Sequence, residues 1–184
     1  MIQEKILQKN ALAIWITGLP CSGKTSLGKG LEEKLTQLGY VSCLLDGDEI
    51  RKGINRDLGF SEEDRKENIR RVAEISRLLI NRGIISINCF VSPTIEMRVM
   101  ARDIIGKEHF VEIFLSTPVE VCKRRDFKEM YEKAERGEIK NFTGINAPYE
   151  KPKNPDIKIN TEILTVSESV NKVMDFVIPR ISSA

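Results

Sequence analysis

The sequence predicts an α/β fold, a three-layer sandwich in which helices cover both faces of a mainly parallel sheet of five strands. Short apolar runs alternate with longer amphipathic segments along the 184 residues, which is the pattern of repeated strand–helix units. The first apolar run leads into a glycine-rich turn and then a helical pattern, a second sign of this fold class. The length suits one domain with one large core, so we expect residues 1–184 to form a single domain.

Five strands are expected where apolar residues run almost without interruption, because strands covered on both faces lack polar alternation. A Ser-Pro or Thr-Pro pair follows two of them. The predicted strands are 11–17, 41–45, 84–91, 110–115 and 157–159.

Helices are expected between these strands, where apolar residues recur at helical spacing. In the first helix, Leu27, Leu31 and Leu35 fall on one face, and Gly39 marks its end. Ser61 is a predicted N-cap because three acidic residues follow it. The predicted helices are 24–38, 61–82, 96–105, about 118–125 and 166–181, and residues 1–10 form an amphipathic lead-in, either a helix or an edge strand.

The stretch from about residue 124 to 150 is polar and has little apolar periodicity. We therefore expect it to lie outside the core. Long polar excursions in compact domains often act as lids over a site, and six basic side chains would give this lid positive charge. They are Arg124, Arg125, Lys128, Lys133, Arg136 and Lys140.

The turn after the first strand has the spacing G-x-x-x-x-G-K-[ST] of a phosphate-binding P-loop, in its strand–turn–helix context. Glycines allow backbone N–H groups to converge on phosphate oxygens, and the helix N-terminus adds further donors. Lys24 is expected at the β and γ phosphates, and the Thr25 hydroxyl on Mg²⁺. The predicted ATP contacts are Gly18, Leu19, Pro20, Cys21, Ser22, Gly23, Lys24, Thr25 and Ser26.

Composition narrows the function classes. A net charge of +2 argues against a nucleic-acid partner, which normally requires a basic excess. No signal peptide or membrane-spanning run is legible, so we expect a cytoplasmic protein without a membrane partner. The four cysteines form no C-x-x-C pair, and nothing near His109, the single histidine, supports a catalytic pair.

A P-loop alone does not separate a kinase from a switch GTPase or a motor ATPase. The guanine-reading pattern N-K-x-D is absent, since residues 171–175 place the aspartate one position too late and inside the last helix. Small size and a basic lid favour a kinase for a small acceptor, because phosphoryl transfer requires excluded water and neutralised charge.

Several longer blocks of sequence resemble the adenylyl-sulfate kinase family over residues 11 to 161. They are Asp46-Gly47-Asp48-x-x-Arg51, Asn55-x-Asp57-Leu58-Gly59-Phe60-Ser61, Asp64-Arg65-x-Glu67-Asn68-Ile69-Arg70-Arg71, Ser92-Pro93, Thr117-Pro118, Cys122, Arg125-Asp126 and Phe142-Thr143-Gly144. The resemblance implies transfer of the γ-phosphoryl group of ATP to the 3′-hydroxyl of adenylyl sulfate in sulfate assimilation. It also leads us to expect a homodimer, which no residue pattern itself indicates.

The resemblance assigns roles position by position. Asp48 corresponds to the family's catalytic aspartate, beside Mg²⁺ and the acceptor hydroxyl, and Ser92 to its active-site serine. Asp46 is expected to order the turn rather than to contact substrate. The implied acceptor contacts are Arg51 and Arg65 on the phosphosulfate, Asn68 as a neutral amide, Phe60 and Phe142 around the adenine, and Lys128 near the phosphates, with Arg125 near the ATP base.

Two departures from the family pattern stand out. Thr94-Ile95 replace an aromatic residue and an arginine, so that only Arg98 remains of a basic pair, and Pro20-Cys21 replace small residues in the P-loop. A helix N-terminus lowers thiol pKa values, which makes Cys21 a candidate for oxidation, although an inert thiol is the simpler expectation. A kinase for another small metabolite and a catalytically silent nucleotide-binding module remain the alternative functions.

Overall fold

The structure is a computed structural model that describes residues 10–182. Five parallel strands form one sheet in the order β2-β3-β1-β4-β5. They are β1 (Ala13–Gly18), β2 (Ser42–Asp46), β3 (Ile85–Cys89), β4 (Phe110–Leu115) and β5 (Ile157–Ile159). The lead-in predicted for residues 1–10 lies outside the described residues, apart from Asn10.

Seven α-helices and one 3₁₀ turn (Lys107–His109) connect and cover the described strands. They are α1 (Lys24–Gln37), α2 (Gly47–Lys52), α3 (Glu62–Ile80), α4 (Ile95–Ile105), α5 (Val119–Arg124), α6 (Met130–Glu135) and α7 (Val166–Ser182). Helix α1 packs with α7, and α3 packs with α4, which gives the predicted three layers. No helix between residues 10 and 182 has the length and apolar character that crossing a bilayer requires.

The predicted fold class is confirmed, with element ends that shift by about two residues or fewer at most boundaries. Ser61 caps α3 as expected, because its hydroxyl accepts a hydrogen bond from the Asp64 N–H at 3.1 Å. Helix α2 was not predicted. It begins directly after β2, where the Asp46 carboxylate accepts a hydrogen bond from the Asp48 N–H at 3.0 Å and so caps the helix. The glycines in this part of the sequence had argued against a helix.

The main core lies on both faces of the sheet. Trp15 is fully buried at its centre, with the rings of Phe90 and Phe110 stacked 5.9 and 5.7 Å from it. Helix α1 approaches β3 so closely that a Cβ atom at Gly28 would come within 2.5 Å of the Cys89 sulfur. This contact seats the helix that follows the P-loop directly on the carboxyl half of the sheet.

A second, smaller core corrects the expectation that residues 124–150 lie outside the core. Tyr131, Ala134 and Phe142 pack there with Cys122, and Leu19 and Cys21 of the P-loop pack against the same cluster. We call residues 124–150 the lid segment and this cluster the lid core. Its apolar residues are too few and too widely spaced to produce a visible period, which explains why the sequence pattern missed them.

Candidate active site

The P-loop occupies the carboxyl end of β1 and turns into α1 at Gly23. Gly23 has φ +100°, a left-handed conformation that glycine adopts without steric cost. Behind the loop, the Thr161 hydroxyl donates to the Ser22 carbonyl at 2.9 Å and shares a hydrogen bond with the Thr117 hydroxyl at 2.8 Å. These side chains hold the loop from outside through its Ser22 carbonyl, and within the loop the Ser22 N–H donates to the Leu19 carbonyl at 3.2 Å.

The donor set of the P-loop fits a polyphosphate. Lys24 Nζ donates to the carbonyls of Gly18 at 3.1 Å and Leu19 at 2.7 Å, which places the ammonium over the loop. Burial lowers the pKa of Lys24, as expected for a cation short of water and anions. The buried Ser22 hydroxyl has no hydrogen-bonding partner among the described residues, whereas Ser26, in the first turn of α1, is exposed.

The N-terminus of α1 and the carboxyl end of β2 meet at the predicted magnesium site. The Thr25 hydroxyl donates to the Asp46 carboxylate at 2.7 Å, and Asp46 also caps α2. Asp46 therefore orders the turn, as predicted, and in addition orients Thr25, which the sequence did not indicate. No cluster of three or more His, Cys, Asp or Glu that could hold a metal occurs in the described chain.

Asp48 lies in the first turn of α2 and points to solvent. Its carboxylate accepts a hydrogen bond from Lys128 Nζ of the lid segment at 3.0 Å, and both side chains are about 70% exposed, at 72% and 69%. The contact raises the pKa of Lys128, through the hydrogen bond first and the charge of Asp48 second. The structure thus brings together two predicted site residues 80 positions apart in the chain.

Two arginines surround one exposed aromatic ring on the acceptor side. Phe60 is 58% exposed, and the guanidinium carbons of Arg51 and Arg65 lie 4.4 and 5.6 Å from its ring centre. Arg51 donates to the carbonyls of Leu58 and Gly59 at 3.3 and 2.8 Å. Neither arginine forms an ion pair with a carboxylate in the described chain, although the charges of Asp64 and Asp48 partly oppose the lowering of the Arg51 pKa.

Burial is the main cause of a lowered pKa at both guanidinium groups, and at Arg65 the charge of Arg51 contributes as well. Arg65 donates to the Phe60 carbonyl at 3.1 Å and to the Thr143 hydroxyl at 3.1 Å, and it also hydrogen-bonds the Asn141 carbonyl. All its partners are neutral. An anionic ligand would relieve the repulsion between the arginines, and Arg65 would link that ligand to the lid segment.

A network of polar side chains that sequence reasoning missed holds the loop before α3. Arg71 pairs with Asp57 through two hydrogen bonds of 2.8 and 2.9 Å and with Glu67 at 2.8 Å. The predicted site residue Asn68 is buried beside it and accepts a hydrogen bond from the Asn55 amide at 2.9 Å. These residues all belong to the motifs given above, so the sequence did mark them as important. The motifs could not show whether they stabilise the loop or bind a ligand.

Phe142 occupies a different environment from Phe60. It is 5% exposed and packs in the lid core, with its ring centre 4.9 Å from that of Tyr131 in an edge-on contact. In this conformation Phe60 and Phe142 therefore do not form a pair of exposed rings between which an adenine could bind. The adenine-stacking role of Phe142 stays a prediction, and it requires the lid core to expose one face of the ring.

Ser92 is buried, and its side chain is engaged by the core. Its hydroxyl accepts a hydrogen bond from the Trp15 indole N–H at 3.1 Å and donates to the Phe90 carbonyl at 3.4 Å. The backbone is left-handed, with φ +39°. This geometry favours a structural role at the end of β3, and the catalytic assignment of Ser92 stays a prediction without support from its contacts.

Arg98, the remaining member of the family's basic pair, is also buried. It pairs with Glu112 on β4 at 3.0 Å and donates to the Ser92 carbonyl at 2.7 Å. It also donates to the Glu150 carbonyl at 2.6 Å. Arg98 therefore joins the end of β3 to the end of the lid segment rather than reaching a ligand.

The first residues of the lid segment lie beside the P-loop. Arg125 donates to the Thr161 hydroxyl and carbonyl at 2.7 and 2.8 Å, so the predicted ATP-base contact is next to the residue that supports Ser22. Other lid cations pair with acids: Arg124 with Glu162, Lys133 with Glu129, and Arg136 with Glu132 and Glu138. The lid segment is thus less positively charged than its basic residues suggest.

Cys21 does not have the chemistry that its helix-terminal position predicts. Burial raises the pKa of its thiol, and the Asp126 carboxylate, 3.8 Å from the sulfur, raises it further. Cys89 is buried, and the same cause raises its pKa to about 12. All four cysteines are free thiols, and neither of these two has the lowered pKa of a reactive thiolate.

Comparison with known proteins gives consistent matches over the whole site. A family described as adenylylsulphate kinase matches residues 10–160. The adenylyl-sulfate kinase of Bacteroides fragilis is 51% identical over 180 residues, 98% of this chain and 89% of the relative, and that of Clostridium acetobutylicum is 49% identical over 174 residues, 95% of this chain and 86% of the relative.

Solved structures agree. The APS kinase of Mycobacterium tuberculosis in complex with AMPPNP and APS superposes with a TM-score of 0.88 at 40% identity, over 92% of this chain and 98% of that one. A hexameric APS kinase from Thiobacillus denitrificans matches with a TM-score of 0.68 at 26% identity, over 94% of this chain and 29% of that one. Together with the P-loop and the arginine-flanked ring, these matches show that the chain belongs to the adenylyl-sulfate kinase family.

Proposed function

We propose that this protein transfers the γ-phosphoryl group of ATP to the 3′-hydroxyl of adenylyl sulfate and releases 3′-phosphoadenylyl sulfate and ADP. The observation that carries the proposal is the placement of Arg51 and Arg65, neither in an ion pair within the described residues, over the exposed ring of Phe60. A purine offers a face for stacking, and a phosphosulfate offers oxyanions for planar guanidinium groups. Adenylyl sulfate has both features in one molecule.

On the donor side, the N–H groups of the P-loop and Lys24 hold the β and γ phosphates, and Arg125 lies near the base. Thr25 would hold Mg²⁺, with Asp48 reaching it through water and Asp46 keeping Thr25 oriented. The ion would neutralise charge on the phosphates. The Thr25–Asp46 hydrogen bond of 2.7 Å gives the hydroxyl a fixed direction, which supports this assignment.

On the acceptor side, Asp48 orients the 3′-hydroxyl and accepts its proton as the oxygen bonds to the γ-phosphorus and the bond from that phosphorus to the leaving ADP oxygen breaks. Asp48 and Arg51 are three residues apart on α2, hence on one face of the helix. The base and the phosphosulfate clamp therefore share one rigid element. Lys128 neutralises Asp48 in this structure and would contact phosphate once a nucleotide is bound.

The test is an assay of the purified protein with Mg²⁺, ATP and a panel of acceptors that includes adenylyl sulfate, AMP, CMP and a sugar acid. We expect phosphorylation of adenylyl sulfate at the 3′ position, identified by phosphorus NMR. Transfer to another acceptor in its place would favour the alternative metabolite kinase. ATP binding without transfer to any acceptor would favour the silent binding module.

The Asp48→Ala variant tests the mechanism. Loss of a positioned general base lowers rates by a factor of about 10² to 10⁴, so we expect kcat to fall by roughly 1,000-fold while the Kd for ADP stays within about threefold. Asp103→Ala, on the exposed side of α4, is the matched control. Near-normal turnover by Asp48→Ala would remove Asp48 from the mechanism.

We further propose that residues 1–184 act as one domain, that the lid segment moves over the bound nucleotides, and that the enzyme is a cytoplasmic homodimer. The dimer and the location rest on resemblance to the family. Light scattering coupled to gel filtration would test the dimer, and a mass of one or six subunits would contradict it.

A further inference from the structure

A hydrogen bond joins the lid core to the P-loop. Tyr131, in α6, is 2% exposed, and its hydroxyl donates to the Pro20 carbonyl at 2.9 Å. Its backbone N–H donates to the Asp126 carboxylate at 2.7 Å, and its ring packs against Phe142. One residue therefore connects Phe142, the base of the lid segment and the phosphate-binding turn.

The Pro20 carbonyl belongs to the same peptide unit as the Cys21 N–H. In a planar trans peptide these two groups point in opposite directions. A hydrogen bond that holds the Pro20 carbonyl toward the lid core therefore holds the Cys21 N–H away from it. Because the N–H groups of a P-loop must converge on phosphate oxygens, the orientation of this peptide sets part of the binding site.

That peptide is followed by a strained residue. Cys21 has φ +59°, a left-handed conformation that is unfavourable for residues with a Cβ atom and persists only where surrounding contacts enforce it. Its sulfur lies 3.8 Å from the Asp126 carboxylate, and its side chain packs against the lid core. The lid segment therefore contacts the Cys21 side chain, while within the loop the Ser22 N–H donates to the Leu19 carbonyl at 3.2 Å and closes the turn around Pro20 and Cys21.

We infer that Tyr131 is a positioning residue for the transfer reaction, whose hydroxyl holds the Pro20–Cys21 peptide in the conformation that binds phosphate. The inference rests on the proposed function, since it assumes that the P-loop holds the phosphates of the donor. It follows that donor affinity depends on the lid segment even where the lid does not touch the nucleotide. It also follows that donor affinity depends more on Tyr131 with Cys21 at the strained position than it would with glycine there.

The test measures the Kd of Mg·ADP by calorimetry in the absence of acceptor, in a double-mutant cycle of Tyr131→Phe and Cys21→Gly. Tyr131→Phe keeps the ring and removes only the hydroxyl, and it should weaken ADP binding about fivefold, the effect of one neutral hydrogen bond. In the Cys21→Gly background the same change should weaken binding by less than about twofold, because glycine adopts φ +59° without strain. Tyr40→Phe, whose hydroxyl hydrogen-bonds Ser182 at 2.8 Å, is the matched control.

A role limited to packing in the lid core would leave the Kd for ADP unchanged in Tyr131→Phe, and this result would overturn the inference. An equal loss in both backgrounds would also overturn it, because the hydroxyl would then act independently of the strained peptide. Hydrogen exchange of residues 18–23 should rise in Tyr131→Phe and return toward the wild-type rate in the double variant. ADP binding is read without acceptor, so an enzyme that ignores adenylyl sulfate would refute the proposed function and leave this test intact.

Discussion

The donor and acceptor sides of the site are built from different materials. The donor side is a turn of backbone between β1 and α1, fixed from behind by Thr117 and Thr161 and resting on a buried strand. The acceptor side consists of side chains from α2, α3 and the lid segment, and Asp48, Phe60 and Lys128 are each more than half exposed.

This difference indicates that the donor side is preorganised for binding, whereas the acceptor side must be ordered by its ligand. Backbone N–H groups in a braced turn have little freedom to lose, whereas exposed side chains must be ordered by the ligand at an entropic cost. The acceptor side holds two arginines close enough for the charge of Arg51 to lower the pKa of Arg65. We therefore expect substitutions of the exposed acceptor-side residues to act mainly on acceptor affinity, with little effect on the unliganded protein.

Arg65→Ala is expected to have the largest effect on acceptor binding. Hydrogen bonds to charged groups are worth about 1.5–3 kcal/mol, so the KM for adenylyl sulfate should rise by roughly 10- to 100-fold while the Kd for ADP changes little. Steady-state kinetics with varied acceptor would measure it. Arg77→Ala is the control, since Arg77 lies on the same helix and pairs with Glu74 at 2.9 Å. An unchanged KM would remove Arg65 from the acceptor site.

The two phenylalanines of the acceptor side differ in burial, and we expect their substitution to have different effects. Phe60→Ala should weaken acceptor binding by roughly tenfold, because stacking on a base is worth about 1–3 kcal/mol, with no loss of stability, because the ring is exposed. Phe142→Ala should weaken acceptor binding and also destabilise the protein by about 3 kcal/mol, since it removes a buried ring. Acceptor titrations and urea unfolding would separate these outcomes. Unchanged acceptor affinity in Phe142→Ala would contradict the stacking role.

The donor side was legible in the sequence because its function depends on backbone conformation, which a short motif with two glycines can specify. The five strands were legible for a related reason, since strands buried on both faces contain few polar residues. The end of β2 was harder to interpret. Asp46 uses one oxygen to cap α2 and the other to accept from Thr25, and no pattern within a few residues reveals a partner 21 positions away.

The acceptor side was predicted through resemblance, and the structure shows why residue patterns alone were insufficient. The partners Asp48 and Lys128 are 80 residues apart, and Arg65 and Thr143 are 78 apart. Ser92 and Phe142 are named in the motifs, yet both are buried among core side chains here. A match to a family motif cannot distinguish a side chain that contacts ligand from one that shapes the backbone beneath it.

The smallest expected effect concerns the network that holds the acceptor loop. Hydrogen bonds from Arg70 and then Arg71 lower the pKa of Glu67 to about 2 from its usual 4.5. A carboxyl whose pKa is lower in the folded state stabilises it above pH 4.5, and this contribution is lost as the pH falls toward 2. Glu67→Gln should therefore destabilise the protein at pH 7, and by progressively less as the pH falls from 5 to 3.

The size of this effect is limited by solvent, because the Glu67 side chain is 34% exposed and such pairs are screened to less than about 1 kcal/mol. Urea unfolding of wild type and variant across that pH range would measure it. The matched control is Glu74→Gln, two turns further along the same face of α3. A destabilisation that stays constant from pH 7 to pH 3 would show that Glu67 acts through packing rather than charge.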